Sequence, residues 1–198
     1  SNPVEYKAWA IKAANTHARN AKARAHRLRL QAQLSLAQEF ADREVIYFPH
    51  QLDFRGRAYP VPQILNPQAD DVGRALLRFA EAKPLTSRGF WWLKVPLANC
   101  FGIDKVSMDD RVAWTESRLD ALSEAGRDPS GAQLWTHADD PWMALAACQE
   151  LHAALSHPEG PEAFPSRLPI PMDGTCNGLQ NFSALLLDEV GGKATNLV

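Results

Sequence analysis

The stretch "LPIPMDGTCNGLQNFSALLLDEVGG", residues 168–192, decides how the chain is read. An apolar run leads to Asp173 and Gly174, and a helix-like pattern follows, closed by Gly191-Gly192. Residues 170–172 are expected to form a short strand. The helix after them is expected to bury Leu179, Phe182, Leu185 and Leu186 and to stop at the glycine pair. A carboxylate between strand and helix has two readings. It caps the helix through its side-chain oxygens, or it is aimed at a ligand beyond the strand tip. In the second reading Asp173 holds a magnesium ion, which prefers oxygen ligands and takes one or two carboxylates plus substrate phosphates. Gly174 lets a backbone carbonyl approach the ion with no Cβ in the way. The pattern by itself does not choose between the two.

A second stretch, "DFRGRAY" at residues 53–59, carries the other chemistry. On an extended chain Arg55 and Arg57 alternate and point to the same face. Two guanidiniums side by side suit phosphate oxygens, which they grip bidentately. Gly56 lets the backbone come close to a bulky partner, and Tyr59 is placed to stack on a sugar or base. The competing reading pairs Asp53 locally with one arginine and leaves the other on the surface.

The chain around these stretches has 198 residues, 45% of them hydrophobic, enough for a packed core and too many for global disorder. Cys100, Cys148 and Cys176 lie far apart with no pair at ligand spacing, which argues against a disulfide framework or a zinc site and suits a reducing compartment. No apolar run is long enough to span a bilayer, and the start shows no basic-then-apolar signal segment, so no membrane partner is expected. The net charge of −2 conceals an asymmetry. Lys7, Lys12, Arg19, Lys22, Arg24, Arg27 and Arg29 stand between residues 6 and 38 with no acidic residue among them. Such segregation points to a polyanionic partner or to a plain solvated helix.

Residues 4–44 contain no Pro or Gly and are rich in Ala, Arg, Lys, Leu and Gln, the composition of one long helix. Its apolar residues gather on no single face, as in an exposed arm. Residues 45–68 hold four prolines and should be extended or turn-rich. Residues 70–157 read as helices again. Leu76, Leu77, Phe79 and Ala80 form a short apolar face, and a helix starts near Ser87. Ser107 and Asp110 cap a helix that carries Val112, Leu119 and Leu122 and stops at Gly126. Asp140-Pro141 opens another, with Leu145, Cys148, Leu151 and Leu155 at helical spacing. The indoles of Trp91, Trp92, Trp114, Trp135 and Trp142 read as core or rim packing rather than a ligand box.

Together and in this order, the two stretches resemble the single-subunit, bacteriophage-type DNA-directed RNA polymerases, which include the mitochondrial enzymes. "DFRGR" resembles that family's Asp-x-x-Gly-Arg motif, and "DGTCNGLQNFSALLLDEVGG" its motif A. Between them "LNPQADD", "RALLRFAEAKPL" and "WLKVPLANCFGIDK" share the family's texture, and the phage branch fits better than the mitochondrial one. The resemblance implies an α+β, predominantly helical fold: a partial right-hand palm, a long N-terminal thumb-type helix and a few short strands. Residues 1–44 would be the basic arm of the thumb and 45–68 the extended Asp-x-x-Gly-Arg segment. Residues 69–166 would be the helical part of the palm, and 167–198 the motif A strand, turn and helix. Asp173 would be the first of two aspartates that bind two Mg2+ ions, assisted by the Gly174 carbonyl. Arg55, Arg57 and Tyr59, with Lys22, Arg24, Arg27 and Arg29 of the arm, would contact nucleic acid. The implied partners are DNA template, RNA product, ribonucleoside triphosphates and the remainder of the parent chain, in the cytoplasm of an infected bacterial host.

Three positions depart from the family pattern: Asn181 stands where His is usual, Leu187 where Arg is usual, and Pro96 where His is common. The family's fingers helix and the His-Asp strand of the second carboxylate have no counterpart in these 198 residues. The isolated chain is therefore expected to be an internal and inactive piece of a polymerase. The alternative is a stand-alone or remnant nucleic-acid-binding module without catalysis.

Overall fold

The computed structural model describes residues 3–172, 176–195 and 197–198. Helix α1 (Pro3–Phe40) is the long N-terminal arm, with proline only at its first turn, where no intrahelical N–H is lost. It is exposed over most of its circumference. It is fastened near its C-terminal third by a polar tie to helix α2 (Asp71–Ala75). There buried Gln33 donates to Asp70 Oδ1 at 2.6 Å and to the Ile64 carbonyl at 3.2 Å, and Arg29 pairs with Asp70 Oδ2 at 2.8 Å. Asp70 also caps α2 by accepting from the Gly73 N–H. Burial works to raise the Asp70 carboxyl, but the bonds from Gln33 and Gly73 and the Arg29 charge outweigh it and hold it below its ordinary value.

Strands β1 (His50–Leu52) and β2 (Ala58–Pro60) form an antiparallel hairpin with Gln51 opposite Tyr59. Strands β3 (Lys83–Pro84) and β4 (Pro165–Ser166) make a second antiparallel pair that brings the two ends of the helical body together. Between them lie α3 (Thr86–Cys100), α4 (Met108–Glu116), α5 (Leu119–Arg127), a 3-10 turn (Gln133–His137) and α6 (Pro141–Leu155). Helices α7 (Asn177–Leu186) and α8 (Glu189–Ala194) follow. The fold is thus α+β and predominantly helical, as expected.

The core sits where α3, α5 and α6 meet. Leu93 and Leu97 of α3 pack with Leu122 and Ala125 of α5 and with Ala147, Cys148, Leu151 and Ala154 of α6. Each buried leucine contributes roughly 1.5–3 kcal/mol of transfer free energy. Burial among these side chains also pushes the Cys148 thiol up to about 12, so it behaves as a small apolar group. The tryptophans fit the packing expectation, with Trp114 and Trp135 set against this core.

Several sequence expectations are corrected. The helix expected to run from Ser107 to Gly126 is two helices, α4 and α5, broken at Ser117-Arg118. Ser107 caps the first through the Asp110 N–H, as expected. Gly126 is not a stop: a Cβ there would overlap the Cys148 carbonyl, so the glycine marks the close crossing of α5 and α6. Asp140 stands at the α6 N-cap but makes no side-chain cap bond. Asp71 of α2 does that work, accepting from the Trp142 and Met143 N–H groups at 2.8 Å each, while Asp140 pairs with Arg74. The apolar residues Leu76, Leu77 and Phe79 lie past the end of α2, outside any helix. Leu155 is exposed, and the buried stripe of α6 is instead completed by Met143, Ala144 and Ala154.

Residues 170–172 form no strand, because no described segment offers a partner edge. Leu179, Phe182, Leu185 and Leu186 are exposed rather than buried, Phe182 to 64% and Leu185 to 78%. Gly191 and Gly192 lie inside α8, not at the end of α7. That end is Leu187, at φ 53°. The Asp188 N–H there donates to the Ser183 carbonyl at 2.9 Å, a Schellman-type closure.

Two stability measurements follow from this packing. Gly126→Ala should destabilise the protein by about 1–3 kcal/mol in chemical denaturation, because α5 and α6 must separate to admit the methyl group. Leu187→Gly should stabilise it by about 0.5–1 kcal/mol, since a leucine in left-handed backbone is strained and this one is exposed. An unchanged denaturation midpoint in either variant would contradict the corresponding geometry.

Candidate nucleic-acid interface

The hairpin turn at residues 53–57 is built by one side chain. Asp53 Oδ1 accepts from the Arg55 N–H at 2.8 Å and from the Arg57 N–H at 2.9 Å. Asp53 Oδ2 accepts from the Arg55 guanidinium at 3.0 and 2.9 Å. The Asp53 backbone closes the same turn, its carbonyl accepting from Gly56 and its N–H donating to the Arg57 carbonyl, both at 2.9 Å. Gly56 takes φ 76°, a conformation that strains any residue with a Cβ. The spacing of Asp, Gly and Arg thus has a local physical cause: carboxylate, left-handed residue and closing residue of one tight turn.

This geometry corrects the extended-chain expectation. Arg55 and Arg57 do not alternate along a strand; they occupy a turn that gives them different surroundings. Arg55 is drawn back onto Asp53, with its guanidinium 5.3 Å from the Phe54 ring centroid. Arg57 is exposed, and no carboxylate pairs with it among the described residues. The local-pairing reading of Asp53 therefore holds for Arg55. Tyr59 stands on β2 with 38% of its surface exposed. The hairpin is tied back to the body by Gln68, which donates to the Ala58 carbonyl at 3.2 Å.

On α1, Lys22, Arg24 and Arg27 are exposed, whereas Arg29 is held by Asp70. Among the described residues, the basic candidates thus separate into cations without an ion pair and paired ones. Asp173 and Gly174 lie outside the described residues. Among those described, no group of three His, Cys, Asp or Glu is arranged to hold a metal ion, and no helix is long and apolar enough to cross a membrane.

Sequence reasoning missed Glu150. It lies in α6 with 3% of its side chain exposed and pairs with Arg78. Ser166 Oγ donates to Glu150 Oε1 at 2.6 Å, and the Arg167 N–H to the same oxygen at 3.1 Å. A charged residue on the apolar stripe of α6 was the available signal, since buried carboxylates require partners.

The turn is expected to respond to acid. The Arg57 N–H, opposed by burial and helped by the Arg55 side chain and N–H, holds the Asp53 carboxyl below its ordinary 3.8. A carboxyl lowered by folding orders the turn above its unfolded pKa and releases it as pH falls through the lower folded value. The amide proton resonances of Arg55 and Arg57 should titrate together with a midpoint under 3.8. Asp53→Asn should remove that titration, and separate midpoints for the two amides would exclude a shared acceptor.

Comparison with known proteins identifies the scaffold. Residues 83–198 match the DNA-dependent RNA polymerase family. The chain is 42% identical over 193 residues to the chloroplastic/mitochondrial DNA-directed RNA polymerase 2 of Arabidopsis thaliana, covering 96% of this chain and 19% of that protein. It is 46% identical over 167 residues to the mitochondrial DNA-directed RNA polymerase of Neurospora crassa, covering 84% of this chain and 12% of the relative. To the DNA-directed RNA polymerase of Enterobacteria phage T3 it is 38% identical over 198 residues, covering 100% of this chain and 22% of the relative. The chain thus spans about a fifth or less of these relatives, and identity does not favour the phage branch over the organellar ones. The matched family and the relatives agree: this chain belongs to the phage-type, single-subunit DNA-dependent RNA polymerases.

Proposed function

We propose that the chain forms part of the thumb and palm of a single-subunit RNA polymerase. The whole protein transfers nucleotidyl groups from ribonucleoside triphosphates to an RNA 3′ end on a DNA template. The observation that carries this reading is the Asp53 turn, which absorbs Arg55 and leaves Arg57 exposed beside Tyr59. An exposed guanidinium on a hydrogen-bonded turn suits a phosphate of the template–RNA hybrid, and the Tyr59 ring, two residues on, suits a sugar or base. Arg55 then acts mainly by holding the turn.

The exposed Lys22, Arg24 and Arg27 of α1 track phosphates along the hybrid, and the tie of Arg29 and Gln33 to Asp70 sets the angle at which the arm meets the body. Asp173, helped by the Gly174 carbonyl, is assigned to hold Mg2+, with a second carboxylate supplied from elsewhere in the parent protein. An ion held by these residues would supply Lewis-acid activation of the attacking hydroxyl and charge stabilisation for the leaving group. A phage-encoded enzyme working in the cytoplasm of an infected bacterium fits the T3 relative, and an organellar enzyme fits the plant and fungal ones.

In a full-length parent, Asp173→Asn should abolish elongation and spare promoter binding, read by single-round transcription beside a mobility-shift assay. Normal turnover would remove Asp173 from its role. The purified 198 residues should incorporate no ribonucleotides on a primed template, and measurable incorporation would overturn the assignment of the second carboxylate to the rest of the parent. Arg57→Ala should weaken hybrid binding at low salt and reduce the slope of log affinity against log salt by about 1. An unchanged slope would detach the turn from nucleic acid. Binding to the hybrid by the isolated chain, without catalysis in a complete parent, would favour a non-catalytic binding module instead.

A further inference from the structure

We infer that Glu150 is a positioning residue for Asp173: it sets the register of the segment that leads there, an inference that rests on the role proposed for Asp173. Glu150 lies on α6, among the helices that form the core. A carboxylate this deeply buried is unfavourable unless it is hydrogen-bonded and paired. Its partners belong to none of the core helices. Ser166 Oγ and the Arg167 N–H bind Oε1, both from the chain leaving β4. Arg78 binds Oε2 from the irregular segment after α2. The two segments also bond each other, the Phe79 N–H donating to the Arg167 carbonyl at 2.9 Å. Leu168 follows, its N–H turned back to Ser166 Oγ at 3.3 Å and its side chain packed against the core. Glu150 therefore clamps the end of β4 and the irregular segment after α2 to a helix of the core.

The clamp is needed because the strand pairing there is weak. β3 and β4 have two residues each, and one of their two pairs is Pro84 opposite Pro165. Neither proline has an N–H to donate, so that pair adds no ladder bond. The flanking bonds from Leu85 to Phe164 and from Thr86 to Glu162 hold the chain upstream of β4. Downstream the chain runs to residue 172 with no strand partner among the described residues. A one-residue slip at Ser166 would shift the chain beyond it by up to about 3.6 Å, the reach of one residue. Asp173 lies seven residues beyond Ser166 in the sequence, so an error at the clamp is carried toward it. Misplacing a reacting group by about 1 Å can cost on the order of 10²-fold in rate.

The test uses a full-length polymerase containing this segment, with Glu150→Gln, Ser166→Ala and, as reference, Asp173→Asn. Single-nucleotide incorporation gives the maximal rate and the apparent Kd for the nucleotide. Hybrid affinity, thermal melting and hydrogen exchange over residues 166–172 are measured alongside. Glu150→Gln should lower the maximal rate by roughly 10- to 100-fold and Ser166→Ala by roughly fivefold. Nucleotide Kd and hybrid affinity should stay within about twofold, while exchange over 166–172 quickens. Maximal rates within about twofold of the unsubstituted enzyme in both variants would overturn the inference. So would a rate loss that only parallels lost melting temperature and lost hybrid binding. If Glu150→Gln does not fold, Ser166→Ala decides by the same criteria. An inactive Asp173→Asn beside unaffected Glu150→Gln and Ser166→Ala sinks the positioning role alone. An active Asp173→Asn sinks the role of Asp173 and this inference with it.

Discussion

The crossing of α5 and α6 at Gly126 is the constraint on which the body of the protein depends. With no Cβ at Gly126, the backbones approach until the glycine meets the Cys148 carbonyl. That proximity places Leu122 and Ala125 against Ala147, Cys148 and Leu151 and leaves room on the far side for Leu93 and Leu97 of α3. Helix α6 is consequently held along its length, and neighbouring segments are hung from it by polar groups. Its first turn receives the Asp71 carboxylate from α2. Its middle extends Glu150 toward the chain leaving β4. Near its end, the His152 ring lies 3.0 Å from Ser123 Oγ of α5.

Apolar burial and polar ties divide the work between them. The apolar contacts are non-directional and fix which helices touch. The ties are directional and fix where short, irregular pieces sit, and each involves a carboxylate that accepts from more than one donor. Asp53 organises the hairpin turn, Asp70 fastens α1, Asp71 caps α6, and Glu150 clamps the segment beyond β4. Charge-assisted bonds of this kind are shorter and stronger than neutral ones and can stand in for longer strands. The strands here are only two or three residues long, too short for a ladder to define position unaided.

What could be read from the sequence follows the same division. The long helix, the start of α3, the Ser107 cap and the α6 boundary are local signals, and they appear where propensity and capping put them. The failures are non-local. Gly126 looks like a helix stop because glycine usually is one, and only the position of Cys148 in space reveals it as a crossing point. Asp140-Pro141 marks the right boundary, yet the carboxylate that binds the N–H groups comes from Asp71, far away in sequence. In the candidate site, the motif residues at 53–57 were legible as a set, but Arg55 and Arg57 were not separable until the turn was seen. Glu150 was hidden because its partners are contributed by two segments distant from it.

The junction of α7 and α8 shows how a local rule can point to the wrong residue. Gly191-Gly192 offers two positions suited to left-handed backbone, yet the chain turns at Leu187, where a side chain makes that conformation costly. Two features outweigh the cost. Asp188 immediately begins a new helix, its carboxylate accepting from the Val190 and Gly191 N–H groups at 3.1 and 3.2 Å. Gly191 is then required for closeness rather than conformation, since a Cβ there would overlap Ser183 Oγ of α7. The glycine that seemed to end one helix instead lets the next pack against it, and the turn falls to Leu187. Because Leu187 is 90% exposed, its side chain bears on the fold mainly through backbone strain. The backbone at this position is set by Asp188 and Ser183 while the side chain is almost wholly exposed, so packing does not select the leucine over the arginine that the resemblance leads one to expect.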